Sequence, residues 1–310
     1  MLDKARLLIN NALEKYEIKI SNLEISWKII PHKVQFGLKI LSHVKNIILV
    51  GSGKGGVGKS TISVNLSLAL AKQGAQVGIL DGDIYGPSIP TMLGISDRPK
   101  SLDQKNMEPL IGYGLQTNSI GFLINPDSPA IWRGPMVAKA LEQLLYQTNW
   151  FGLDYLIIDM PPGTGDIALT LAQKVPVVGA VIVTTPQDIS LIDARRCLRM
   201  FQKIKIPILG IIENMAMYIC TQCNRIEHIF GEKGGQNLAN QYNVPWLGSL
   251  PLTKTIREQS DIGIPIVESN IESIDASYFL EIARRLAINI SVLPHDMTAK
   301  IPPIVVKSVI

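Results

Sequence analysis

The chain reads as a doubly wound α/β protein, a mostly parallel sheet flanked by helices. Three observations predict this. Six short runs, at 47–50, 77–80, 156–158, 178–183, 208–212 and 246–250, are apolar or nearly so, most of them rich in β-branched residues. Strands covered on both faces by helices need that character. Segments with helical spacing lie between and after them, at 60–73, 135–148, 189–204, 235–242, 253–259 and 273–288, and such alternation argues a parallel sheet. Finally, the first run ends in a glycine-rich loop that opens a helix, the local geometry of a ligand site at the carboxyl edge of such a sheet.

Taken in order, residues 1–44 are more charged and less regular than the rest. Residues 2–13 suit an amphipathic helix and 23–30 a short strand. The stretch is too short to bury a core of its own, so it reads as an N-terminal extension. Residues 45–290 carry the alternating pattern and form the main domain. The tail, 291–310, contains Pro294, Pro302 and Pro303, which forbid a regular helix, and reads as an extended arm.

Composition narrows the class. The 310 residues are 46% hydrophobic and 18% charged, with a net charge of +4 spread along the chain. No basic block marks a nucleic-acid surface, and no apolar run approaches the ~20 residues that cross a bilayer. The first residues carry charges throughout and lack the apolar core of a signal peptide. Three cysteines make a poor disulfide framework, so the expected compartment is the reducing cytoplasm, with no membrane or nucleic-acid partner.

Within the stretch GSGKGGVGKS, Gly53, Lys54, Gly55, Gly56, Val57, Gly58, Lys59 and Ser60 match G-x-x-x-x-G-K-[ST] in the strand-to-helix context the motif requires. Glycines let backbone N–H groups converge on phosphate oxygens, and the helix start adds its positive end. Lys59 is expected between the β- and γ-phosphates of ATP, the Ser60 hydroxyl on Mg²⁺, and Thr61 near the α-phosphate. Asp159 ends an apolar run as a Walker B carboxylate does, supporting the Mg²⁺ through its water shell, and leads into a loop at 160–166 suited to sensing the γ-phosphate. Asp81 and Asp83 end the second run; Asp83 is expected to orient and deprotonate the attacking water, against a simpler role in capping the turn before Pro87. Asn214 follows the fifth run, where its amide can pair with a purine edge or serve a turn.

Cys220 and Cys223 form a C-x-x-C. Two thiolates do not close a four-coordinate metal site, and three readings stand. A redox dithiol lacks the helix start that would depress a thiol pKa. A zinc site needs His228 or a partner subunit's cysteines. An iron–sulfur cluster, most simply [4Fe–4S], needs two thiolates from each of two protomers. Cys197 lies inside a predicted helix and reads as a packing residue. His32, His43 and His295 show no ligand spacing, and Arg133 in WRGPM suits a phosphate or an interface.

The segment KGGVGKS resembles the deviant Walker A signature of the MinD, ParA and nitrogenase-iron-protein class. That resemblance implies a MinD-like P-loop NTPase fold and a homodimer in which Lys54 reaches the partner's nucleotide, neutralising charge in the transition state as an arginine finger does. Further stretches, VKNIILVGSGKGGVGKS, DGDIYGPSIP, WRGPM, DYLIIDMPPGTGD, VTTPQD and NMAMYICTQC, together resemble the Mrp/Nbp (ApbC-like) group of iron–sulfur P-loop ATPases over about residues 44–290. The group implies a cluster on Cys220 and Cys223, loaded by a cluster donor and passed to apo-proteins. Its members often carry an accessory domain before the ATPase domain, where this chain has only residues 1–44. The competing function is a MinD/ParA-like positioning ATPase on membrane or DNA, which needs an amphipathic targeting helix or a basic surface and leaves the C-x-x-C unexplained. An electron-donating reductase built like the nitrogenase iron protein is a third.

Overall fold

The computed structural model describes residues 2–16, 18, 23, 27–124, 134–220 and 222–296. After helix α1 (Leu2–Glu14), strand β1 (Val44–Ser52) leads through the glycine loop into α2 (Lys59–Lys72), and β2 (Val77–Asp81) follows. The short α3 (Ile89–Met92) precedes a hairpin of β3 (Leu110–Gly112) and β4 (Leu115–Ser119). Then come α4 (Gly134–Tyr146), β5 (Leu153–Asp159), α5 (Asp166–Lys174), β6 (Gly179–Thr184), α6 (Asp188–Lys203) and the long β7 (Ile208–Ile219). The remaining elements are β8 (Ile226–Glu227), α7 (Gly234–Tyr242), β9 (Trp246–Pro251), α8 (Lys254–Asp261), α9 (Ile266–Ser269) and α10 (Ile274–Ser291).

The sheet runs β3-β4-β2-β5-β1-β6-β7-β8, with β9 also paired to β7. All pairings are parallel except β3 with β4 and β7 with β8. The predicted doubly wound sheet is therefore the observed one. Strand β5 returns the chain between β2 and β1, and β6 continues beyond β1, so the loops after β1, β2 and β5 meet at one carboxyl edge.

Alternation within the strands divides the core. Ile48 and Val50 face α2, α9 and α10, while Ile47 and Leu49 face α4, α5, α6 and α7. Helix α2 is buried nearly all round, and small polar residues past its first turn are satisfied within it. Ser67 donates to the Ser63 carbonyl at 2.7 Å, and Asn65 donates to that of Thr61 at 2.9 Å. Phe201 of α6 lies fully buried against Gly51, where an added Cβ would stand 3.2 Å from the ring.

The expected strand at 23–30 does not form over its described part, 23 and 27–30. The Ile30 carbonyl takes its hydrogen bond from the Asn46 amide instead of a ladder partner, at 3.0 Å; residues 24–26 lie outside the described residues. Beyond it, Gln35 exchanges two 3.0 Å bonds with the Val177 backbone, tying this segment to the start of β6. His32 and His295, far apart in sequence, meet edge to face with ring centroids 5.6 Å apart. Lys33 N–H donates to Pro294 and Asp296 N–H to Pro31, so the first residues after α10 run beside the N-terminal segment. The rest of the expected tail, 297–310, lies outside the described residues, as does Arg133. No described helix is long and apolar enough to cross a membrane.

Candidate functional site

The glycine loop owes its path to contacts that only glycine permits. A Cβ on Gly53 would stand 2.1 Å from the Asp193 carbonyl carbon of α6, and one on Gly58 would stand 2.2 Å from the Asn214 amide nitrogen. Gly56 and Gly58 have φ of 79° and 82°, the left-handed region that other residues avoid. Gly58 caps α2 with no side-chain acceptor, which leaves first-turn N–H groups to an anion. Gly55 and Gly56 border open space. Lys54 is half-buried and makes no ion pair among the described residues. Thr61 sits half-buried in the first turn of α2.

Asp159 is brought to this loop by register, since β5 pairs with β1 and sets Asp159 beside Val50. Its Oδ2 lies 2.7 Å from Lys59 Nζ and accepts the Ser60 hydroxyl at 2.5 Å. Its Oδ1 accepts the Ser63 hydroxyl at 2.6 Å. Asp159 is fully buried and Lys59 is 6% exposed, so this is a desolvated pair that persists because every partner is hydrogen-bonded. Ser60 and Asp159 together offer the hydroxyl and carboxylate oxygens that suit a Mg²⁺ with its water shell. Ser63 escaped the sequence reading; its only signal is a place one turn after Ser60 on the same helix face.

Asp81 ends β2 fully buried. Burial first, then Asp159, pushes its carboxyl up to about 7, against hydrogen bonds from Ser119 and the Ile89 N–H. Asp83 is half-buried; burial raises its pKa while the Lys59 charge pulls it down, which puts its carboxyl within electrostatic reach of the phosphate-loop lysine. Gly82 joins the two strand ends. Its N–H donates to the Asp159 carbonyl at 2.8 Å, and a Cβ would stand 2.6 Å from that oxygen. The loop after β5 closes the other side, with Gly163 N–H donating to the Ser52 carbonyl at 2.9 Å.

Strand β7 carries the remaining groups. Asn214 Nδ2 donates to the Val57 carbonyl at 2.9 Å, so the residue expected near the base is also bound to the phosphate loop. Beside it Glu213, unnoticed in the sequence, is buried and accepts the Gly235 N–H at the start of α7, and burial raises its pKa. Met215 has φ of 55°, and the register between β7 and β9 breaks between Glu213 and Met217. Beyond this bulge β7 continues to Ile219 and turns back as β8. Cys220 N–H donates to the Arg225 carbonyl at 2.9 Å and Asn224 N–H to that of Cys220 at 2.8 Å.

Cys220 and Cys223 thus sit on the tip of a hairpin, one half-buried and one exposed. The N–H groups of Gln222 and then Cys223, with the Cys223 thiol, hold the Cys220 thiol below its ordinary range. Among the described residues no group of three or more His, Cys, Asp or Glu is arranged to hold a metal ion. His228 instead bonds the Ala216 carbonyl through Nδ1 at 2.8 Å. Among the described residues His228 is not gathered with Cys220 and Cys223 into one ligand group. Cys197 is buried in α6, its thiol pushed up to about 12 by burial, as a packing residue's should be.

Comparison with known proteins gives the family of the chain. The model of the ParA family described as NUBPL iron-transfer P-loop NTPase matches residues 43–287. The iron-sulfur cluster carrier protein of Pseudomonas fragi is 55% identical over 268 residues, which cover 86% of this chain and 93% of that one. A nucleotide-binding protein of Archaeoglobus fulgidus, solved in complex with ADP, is 37% identical with a TM-score of 0.63, over 71% of this chain and 87% of that one. The septum site-determining protein MinD of Pyrococcus horikoshii, complexed with Mg-ADP, is 25% identical with a TM-score of 0.57, over 78% and 95%. The chain belongs to the iron-transfer P-loop NTPase family.

Proposed function

We propose that the protein is an ATP-hydrolysing carrier that holds an iron–sulfur cluster between two copies of the chain and passes it to apo-proteins. One observation carries the reading. A pair of accessible thiols, one with its pKa lowered by backbone N–H groups, ends the strand whose Asn214 touches the phosphate loop. Backbone N–H bonds to sulfur stabilise the thiolate form that binds iron. Two ligands per chain call for a second chain, and two-fold symmetry turns two thiolates into four. The name of the Pseudomonas fragi relative points to the same cargo.

In this reading Lys59 and the amides of the loop hold the phosphates, and Asn214 borders the base. Mg²⁺, held by Ser60 and supported by Asp159 through water, neutralises charge on the β- and γ-phosphate oxygens when bound. Asp83 orients the attacking water and draws off its proton, and its raised pKa suits a group that must accept one. Lys54, free of ion pairs among the described residues, supplies a positive charge to the partner's nucleotide. Hydrolysis then changes the contacts at Asn214 and the loops, and with them cluster retention. The soluble, cytoplasmic working place follows from the same role.

The test is anaerobic reconstitution followed by iron and sulfide analysis and sedimentation. Wild type should bind about one [4Fe–4S] per dimer. Chains with both Cys220→Ala and Cys223→Ala should bind neither iron nor sulfide and should still bind ATP. A double variant with a full complement of both sinks the proposal.

A further inference from the structure

Ser119 ends β4, fully buried, on the far side of β2 from the phosphate loop. Its hydroxyl accepts the Gly121 N–H at 3.0 Å and donates to Asp81 Oδ2 at 3.0 Å. The same Oδ2 accepts the Ile89 N–H at 3.2 Å, and Oδ1 accepts the Asp83 N–H at 3.2 Å. One carboxylate therefore ties down both ends of the segment that carries Asp83. Within the segment the bonds are short-range, Ile84 N–H to the Gly82 carbonyl and Gly86 N–H to the Asp83 carbonyl, both 3.2 Å, with the Gly86 and Tyr85 N–H groups also reaching the Asp83 carboxylate. Where Asp83 stands depends on how Asp81 is turned, and Ser119 is the one side chain that bonds the Asp81 carboxylate among the described residues.

A latch made only for stability has no need of an acid. A fully buried carboxylate, in register with the equally buried Asp159, costs free energy that an amide or hydroxyl would not. Retaining a carboxyl there makes sense if, above about pH 7 where it is ionised, its bonds must hold the Asp83 backbone firmly while the phosphate charge beside it changes. Hydrogen bonds to charged groups are worth about 1.5–3 kcal/mol, against about 1 for neutral ones.

We infer that Ser119 and Asp81 are positioning residues for ATP hydrolysis, a buried clamp that aims Asp83 at the attacking water. This rests on the role proposed above for Asp83. Ser119 and Asp81 are both fully buried, so the clamp acts on turnover through Asp83 and not on binding.

The experiment measures ATP turnover and fluorescent-ADP affinity of the full chain as wild type, Ser119→Ala and Asp83→Asn. Ser119→Ala should lower kcat about tenfold, the effect of one charged hydrogen bond, with KM and ADP affinity within about twofold. Asp83→Asn should lower kcat further. Unchanged kcat in Ser119→Ala beside an inactive Asp83→Asn overturns the clamp and leaves the role of Asp83 standing. Full activity in Asp83→Asn overturns both. Loss of ADP affinity in step with kcat also overturns the clamp, because Ser119 then serves only the fold. Should Ser119→Ala not fold, Asp81→Asn keeps the side chain's shape and is read by the same split between kcat and KM.

Discussion

Replacing Asp81 by Asn should change how stability depends on pH. Asp81 is fully buried, and its carboxyl is moved from 3.8 to about 7, by burial first and the Asp159 charge second. Between these two values the folded chain holds a proton that the unfolded chain has released. Wild-type stability must then fall as pH rises from about 4 to about 7 and level off above that, since the folded state binds more protons throughout the window. The full shift corresponds to roughly 4 kcal/mol, of which about 3 kcal/mol falls between pH 5 and pH 8. Asn does not titrate. Any fixed cost of turning an amide toward the Asp83 N–H is the same at both pH values and cancels in the comparison. Urea unfolding of wild type and Asp81→Asn at pH 5 and pH 8 reads the difference directly. The variant should gain about 3 kcal/mol relative to wild type on going from pH 5 to pH 8. A gap between the two proteins that stays constant to within about 0.5 kcal/mol refutes the burial argument.

Three further outcomes are expected. Lys59→Met leaves Asp159 buried without its cation and should cost about 3–5 kcal/mol in chemical denaturation, with ATP binding lost. Gly53→Ala drives a methyl into the Asp193 backbone and should lower stability by about 1–3 kcal/mol while weakening nucleotide affinity, measured by thermal melts and titration. Lys54→Ala should leave stability within about 0.5 kcal/mol, because no ion pair is broken. Its turnover should nonetheless fall by about 10³ or more with nucleotide affinity kept, if the lysine acts across a dimer.

Apart from the stretch at 23–30, every strand that the sequence announced is an apolar or nearly apolar run, and each is in the sheet. Those it concealed are two or three residues long or, like β4, carry polar residues inside. In β4, Gln116, Thr117, Asn118 and Ser119 are all buried, and three of them are satisfied by partners far away in sequence. Gln116 pairs with the Phe151 backbone, Asn118 with Thr148 and Ser119 with Asp81. No local pattern reveals such partners. Strand β7 runs on to Ile219, past its apolar half, because the bulge at Met215 lets half-exposed residues continue the pairing to Pro251. Helix α5 is absent from the expected helices, since Gly163, Thr164 and Gly165 obscure its start and the expected loop covers only its first residue, Asp166.

The site divides along the same line. The phosphate loop is contiguous, so its glycines, Lys59 and Ser60 declare themselves in ten residues. Asp159 could be placed from its strand-end position. Ser63, Ser119 and Glu213 come to the site only through helix phase and strand register, and nothing in their neighbours' identities marks them. The C-x-x-C was visible as two cysteines. That no third ligand stands beside them among the described residues needed three dimensions.

The hairpin that bears Cys220 and Cys223 hangs from the sheet by little more than one strand. Its return strand pairs through just two residues, Ile226 and Glu227. From Asn214 to Cys220 the same backbone spans roughly 20 Å at the usual rise of an extended strand. The sulfur-bearing tip is thus a cantilever, stiff along its length and anchored at the nucleotide end. Its exposed turn at 222–225 can be lengthened or exchanged without disturbing either core, whereas an insertion between 214 and 219 would cut the arm from its support.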